Sequence, residues 1–133
     1  MGIAVRDIKK SLEFYRDLLG FIITTEMDES GDFISTIMGL DNVMVKTVKM
    51  KANNGRTLLE LLEFKSHEDN KKYNREIFHI GPSHLALTVD NLDEVFHLLS
   101  NTGIKFNAAP QVSPDGYAKV TFCTAPEGTL IEL

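Results

Sequence analysis

The sequence holds one cysteine, Cys123, and no tryptophan among its 133 residues. A single thiol makes no intramolecular disulfide, so the fold must rest on its packed core, and a reducing cytoplasm is the expected setting. Cys123 lies in the alternating segment Lys119-Val-Thr-Phe-Cys-Thr124 and reads as a packed strand residue rather than a nucleophile. Long apolar runs are also missing. None approaches the roughly 20 residues that cross a bilayer. No basic start leads into an apolar stretch and a small-residue cleavage site, so no secretory leader is expected. A basic excess is lacking too: 14 Lys and Arg against 19 Asp and Glu leave a formal charge of -5. Lys9, Lys10, Lys71 and Lys72 are scattered among acids and form no stripe, which argues against nucleic acid as a partner. What remains is ordinary for a globular protein, with 43% hydrophobic and 25% charged residues. A chain of this length suits one domain that buries roughly 65–70% of its unfolded surface.

The chain repeats itself. At an offset of 84 positions, Ile3-Ala-Val-Arg-Asp-Ile8 lies over Leu87-Thr-Val-Asp-Asn-Leu92. Both copies read as a short apolar strand, a polar pair and then a helix. In the first helix Ile8, Leu12, Tyr15, Leu18 and Leu19 share one face by their three- and four-residue spacing; in the second, Leu92, Val95, Phe96 and Leu99 do the same. Asp7 is the expected N-cap of the first. Asn91 and Glu94 have the spacing of a capping box for the second. Gly20 and Gly103 follow the helices, where a left-handed residue is needed. Each copy then closes alike, Thr57-Leu-Leu-Glu-Leu61 matching Thr129-Leu-Ile-Glu-Leu133 at an offset of 72. The second copy is therefore about a dozen residues shorter between helix and last strand.

In between, Phe21 to Met27, Val43 to Met50, Ile104 to Ala108 and Tyr117 to Thr124 read as strands. Residues 31 to 42 fit a short helix ending near Gly39. Each copy is thus strand, helix and about three strands. The expected class is α+β, a single domain with module one at about 1–64, a connector at 65–80 and module two at about 81–133.

Two carboxylates fall at matching places in this repeat. Glu60 sits inside Leu58-Leu-Glu-Leu-Leu62 and Glu132 inside Leu130-Ile-Glu-Leu133. A carboxylate within an apolar strand is costly unless it is paired, protonated or bound to a metal. Glu60 alone reads equally well as an outward residue of a half-exposed strand; two at equivalent positions are harder to set aside. His84 opens the strand His84-Leu-Ala-Leu-Thr-Val89. Twofold symmetry is expected to gather the strand-opening and strand-closing positions at the centre of the molecule. Imidazole and carboxylates without sulfur suit Zn, Ni, Co, Mn or Fe. At the same offset the counterpart of His84 falls one position before Met1. Either the natural chain continues upstream or the first copy lacks that ligand, and both edges of the domain are expected to be clipped. His67, His79 and His97 read as surface or boundary residues, and Phe14 and Tyr15 as core.

The opening Met1-Gly-Ile-Ala-Val-Arg-Asp-Ile-Lys-Lys-Ser-Leu-Glu-Phe-Tyr-Arg-Asp-Leu-Leu-Gly-Phe21 resembles that of the glyoxalase/bleomycin-resistance/dioxygenase (vicinal oxygen chelate) superfamily, closest in pattern to glyoxalase I-like proteins. Ser83-His-Leu-Ala-Leu-Thr-Val-Asp-Asn-Leu-Asp-Glu94 and Ala125-Pro-Glu-Gly-Thr-Leu-Ile-Glu-Leu133 extend the likeness over nearly the whole chain. The turn Ala125-Pro-Glu-Gly128 departs from the family's usual Asp-Pro-Asp-Gly. The resemblance implies two βαβββ modules in an incomplete barrel, a homodimer and one divalent metal. It makes Glu60, His84 and Glu132 metal ligands, with no match for a first-module histidine.

The chemistry implied is that of a metal-dependent lyase or isomerase, a lactoylglutathione lyase-like protein. The metal lowers the cost of forming an enediolate on a small-molecule substrate, and Glu60 or Glu132 serves as base. An acyl-coenzyme A epimerase would use the same groups. An extradiol-type dioxygenase would need the additional histidine. A metal-free binding or resistance protein would rely on aromatic stacking, for which 8% aromatic residues is a thin supply. The loop Asn107 to Tyr117 reads either as a substrate cover or as a plain turn.

Overall fold

Asp7 and Asn91 start equivalent helices by the same device. Each has extended backbone and offers a side-chain oxygen to the free N–H groups of the first turn, which have no partner within the helix. Asp7 Oδ1 accepts from the Lys9 and Lys10 N–H groups at 3.0 and 3.2 Å. Asn91 Oδ1 accepts from the Glu94 N–H at 3.3 Å. Asp7→Ala is expected to cost about 1 kcal/mol of stability, read as a lower urea midpoint with unchanged slope.

The computed structural model describes residues 1–53, 55, 58–70 and 76–133; Thr57, Lys71 and Lys72, noted above, lie outside the described residues. The chain divides into two compact units, Met1–Lys71 and Lys72–Leu133.

In the first unit, strand β1 (Gly2–Ala4) leads into helix α1 (Ile8–Leu12), which continues as a π-helical turn over Glu13–Leu18. Strand β2 (Ile22–Ser30), helix α2 (Asp32–Met38) and strands β3 (Met44–Lys51) and β4 (Leu58–Phe64) follow. The sheet order is β1-β4-β3-β2, with β1 parallel to β4 and the other pairs antiparallel. Residues that alternate along a strand point to opposite faces. One face carries Ile3, Val48, Met50, Leu59 and Leu61, all buried together with Ile8, Leu12, Phe14 and Tyr15 from the helix. Phe14 and Tyr15 are core, as their spacing implied. On the other face Ile34 of α2 joins Val43 and Val45 in a smaller cluster, backed by Met38, Leu62 and Phe64. Gly39, in the left-handed conformation at φ 65°, ends α2 as expected.

The π-helical turn has a simple origin in the repeat. Thirteen positions separate Asp7 from Gly20, but only twelve separate Asn91 from Gly103. The first helix must therefore hold one more residue between the same start and stop. A widened turn absorbs it, with the Leu19 N–H donating to the Phe14 carbonyl five residues back at 3.0 Å. Gly20 and Gly103 both stop their helices at positive φ, 75° and 85°.

The second unit has strand β5 (Leu85–Ala86), helix α3 (Leu92–Asn101), strands β6 (Gln111–Val112), β7 (Lys119–Val120), β8 (Phe122–Thr124) and β9 (Leu130–Glu132). Its main sheet runs β5-β9-β8, β5 again parallel to its partner. The registers reproduce the two offsets. Gly2 faces Glu60 in the first unit and Ala86 faces Glu132 in the second.

The strands expected at Ile104 to Ala108 and Tyr117 to Thr124 are more broken than the pattern suggested. The first contributes a single bridge, Phe106 to Cys123, with flanking bonds from the Thr124 N–H to the Lys105 carbonyl and from the Asn107 N–H to the Phe122 carbonyl. The second changes partners midway. Lys119–Val120 pairs with Gln111–Val112 as a hairpin, whereas Thr121 exchanges both backbone bonds with Leu133 at 3.0 Å each. The Asn107 to Tyr117 loop is thus largely that hairpin. Its turn is tied by Ser113 Oγ donating to Asp115 Oδ1 at 2.5 Å, and this bond with one from the Tyr117 N–H holds the Asp115 carboxyl below its ordinary pKa.

Cys123 is fully buried in β8, as the alternation implied. Burial disfavours the thiolate and pushes the thiol from 9.0 to about 11. The native protein is expected to resist a thiol reagent at pH 8 and to react fully in denaturant. Because the unfolded thiol ionises first, stability should fall by at most about 1.4 kcal/mol per pH unit between about pH 9 and 11. A thermal midpoint flat across that window in wild type but not in Cys123→Ser would contradict this.

Candidate functional site

The second unit presents its core side through Cys123, Ile131 and Leu133, all buried. The alternate residues of the same strands, Phe122, Thr124, Leu130 and Glu132, lie on the half-exposed side. His84, two residues before Ala86, precedes β5, the parallel neighbour of β9. Its Nε2 stands 2.7 Å from Glu132 Oε2, with the side chains 29% and 31% exposed. Nδ1 is 2.8 Å from Ser83 Oγ. Phe122, directly cross-strand from Glu132, sets its ring edge-on to the imidazole at a centroid distance of 5.3 Å. The histidine is therefore fixed at both nitrogens and along one flank. Ala86, on the other side of Glu132, contributes only a methyl group.

This is a donor set that fits a divalent cation. When Nδ1–H donates to Ser83, Nε2 turns a lone pair toward Oε2, and a cation can take the place of the proton the two would otherwise share. A second hydrogen bond that sets the tautomer is the usual support of a metal-binding histidine. Ser83 and Phe122 were not singled out from the sequence. The signal for Phe122 lies in the register: once β8 and β9 are paired, it falls opposite Glu132.

Glu60 has a different neighbour. It lies on β4 of the first unit, and its cross-strand partner on β3 is Lys49, whose Nζ is 3.5 Å from Oε1. The Glu60 side chain is 33% exposed. On β4 Glu60 is thus partly exposed and stands beside an ammonium group. Among the described residues, no group of three or more His, Cys, Asp or Glu is placed to hold a metal ion; the contact made is the His84–Glu132 pair. An open cleft of about 750 Å³ in the first unit, lined by Asp32, Ser35, Asp41, Asn42 and Met44 among others, includes none of these residues.

The other histidines sit as expected at the surface or boundary. His67 contacts Ser66 Oγ and lies edge-on to Phe64. The ring Nδ1 of His79 accepts from the Glu76 N–H, and His97 is exposed on α3. No helix among the described residues is long and apolar enough to cross a membrane.

The model of the glyoxalase/bleomycin resistance protein/dioxygenase superfamily matches residues 1–133. The chain belongs to that superfamily. Solved structures of the same fold agree. A glyoxalase family protein from Bacillus cereus superposes with a TM-score of 0.88 at 20% identity, covering 100% of this chain and 89% of that one. The trypanothione-dependent glyoxalase I of Leishmania major gives 0.64 at 20% identity, covering 100% and 81%. Lactoylglutathione lyase from Agrobacterium tumefaciens gives 0.61 at 18%, covering 99% and 87%. At these identities the likeness establishes the α+β glyoxalase-like fold. No curated protein matches the sequence.

Proposed function

We propose that this superfamily member is a metal-dependent lyase or isomerase of the glyoxalase kind, moving a proton on a carbon next to a carbonyl group of a small molecule. The supporting observation is the His84–Glu132 contact of 2.7 Å, held on a half-exposed sheet face with Ser83 at the second ring nitrogen. His84 Nε2 and Glu132 Oε2 would hold the cation. The metal, one of Zn, Ni, Co, Mn or Fe, supplies positive charge beside the substrate carbonyl and so acidifies the neighbouring C–H. One Glu132 oxygen, Oε2, faces His84. The second oxygen, Oε1, takes the substrate proton and returns it to the adjacent carbon. Phe122 limits access of water along one side of the imidazole. The protein works as a cytoplasmic homodimer in this reading.

The test is proton exchange. Metal-loaded protein is incubated in deuterium oxide with the hemithioacetal of methylglyoxal and glutathione, and separately with a 2-methyl-branched acyl-coenzyme A thioester. NMR then follows product and deuterium at the α-carbon. Turnover or exchange that is lost in Glu132→Gln supports the reading. No exchange with either substrate class, for any of the five metals, would overturn it.

A further inference from the structure

Within the second unit, the short segment around Phe106 extends the sheet side that carries Glu132. Phe106 pairs with Cys123 and sets its ring 4.7 Å from that of Phe96 on α3, so it points to the core side. Its neighbours Lys105 and Asn107 therefore point the other way, onto the side of Phe122, Thr124, Leu130 and Glu132. The Asn107 N–H donates to the Phe122 carbonyl at 2.9 Å, and the Thr124 N–H to the Lys105 carbonyl at 3.1 Å. These bonds fix the register. One row across the strands runs Glu132, Phe122, Asn107, and the next runs Leu130, Thr124, Lys105. Lys105 and Asn107 are exposed, and among the described residues neither side chain has a hydrogen-bond or ion-pair partner. Lys119, the other lysine described in this unit, is held by both carboxylate oxygens of Asp93.

We propose that Lys105, with Asn107 beside it, binds a carboxylate at the far end of the substrate whose carbonyl end is held at His84 and Glu132. The inference rests on the metal-dependent reading above and names its substrate class, a carbonyl compound with a carboxylate-bearing arm. Neighbouring strands lie about 4.8 Å apart, so two steps across the sheet put this end on the order of 10 Å from Glu132. Phe122 and Thr124, half-buried in between, offer an apolar ring and a small side chain along which the arm can lie. An ammonium with no acidic partner keeps its charge for a ligand, and the Asn107 amide adds N–H donors that a carboxylate accepts. One lysine balances the single charge of a carboxylate, whereas a phosphate ester carries nearly two.

Titration calorimetry with straight-chain diacids tests this, with circular dichroism to verify folding. Zinc uptake is measured first, on wild type, Lys105→Gln, Lys105→Arg and His84→Ala. The zinc-loaded proteins are then titrated with succinate, glutarate, pimelate and azelate, and with heptanoate as the single-acid counterpart of pimelate. In wild type, pimelate or azelate should bind about tenfold more tightly than succinate and heptanoate, the scale of one hydrogen bond to a charged group. Lys105→Gln should reduce that preference below about threefold with zinc uptake unchanged, and Lys105→Arg should keep it. A preference that survives in Lys105→Gln, or none in wild type, would overturn the inference. If wild type takes up zinc, His84→Ala does not, and no long diacid is preferred, only this inference fails. If wild type takes up no zinc, the metal-dependent reading fails and this inference with it.

Discussion

His84→Ala is expected to weaken divalent metal binding by at least about a hundredfold while leaving the fold intact. The magnitude follows from position. Substituting an outer partner of a metal ligand already costs about 10–100-fold, and in the proposed site His84 Nε2 is itself one of the two donors, 2.7 Å from Glu132 Oε2. The fold should survive because the side chain is partly exposed and precedes β5 rather than lying inside it. Ser83→Ala, which removes the partner of Nδ1, should weaken binding less, within the outer-partner range. Titration calorimetry on the three proteins checks both effects. Equal affinity in wild type and His84→Ala would mean that the metal, if bound, sits elsewhere.

Ile131→Ala is expected to destabilise the protein by about 2–5 kcal/mol, the usual cost of truncating a fully buried aliphatic side chain to Ala. Ile131 is fully buried and lies between Leu130 and Glu132 on β9. It pairs across the sheet with Leu85 on one side and Cys123 on the other. The cavity would open directly beneath the strand that carries Glu132. Urea denaturation should show a lower midpoint, and metal affinity should fall modestly as the carboxylate loses its rigid support. Leu130→Ala on the half-exposed side should cost less than half as much. A loss below about 1 kcal/mol for Ile131→Ala would mean that this strand is not the core of its unit.

Much of the fold was legible because the repeat could be read twice. The offsets of 84 and 72 marked which strands and helices of the two copies are equivalent, though not which strands pair within a copy. Asp7, Asn91, Gly20 and Gly103 marked helix ends through the physics of unpaired N–H groups and left-handed stops. The π-helical turn was also written there, as the one-residue mismatch between Asp7–Gly20 and Asn91–Gly103. It becomes visible when the start and stop signals are counted against each other. The switch of partners around Val120 and Thr121 was not legible, because the alternation of Lys119 to Thr124 is the same whichever strand it faces.

For the candidate site, sequence pattern identified His84 and Glu132, and the structure puts them in contact. It could not find Lys49, Phe122 or Ser83. Their significance lies in cross-strand neighbours, and periodicity along one strand says nothing of what stands opposite. That missing dimension separates Glu60, paired with an ammonium, from Glu132, paired with an imidazole, although their local sequences are nearly the same.

The central claim is that the His84–Glu132 pair is a divalent cation site. Imidazole ¹⁵N resonances of the four histidines, followed by NMR as Zn²⁺ is added to metal-free protein, test it most directly. The expected result is a large displacement of His84 Nε2, complete at one equivalent, with Nδ1 of the same ring retaining its proton. His67, His79 and His97 should remain unmoved. A titration that shifts any of those three first, or leaves His84 Nε2 where it began, would contradict it.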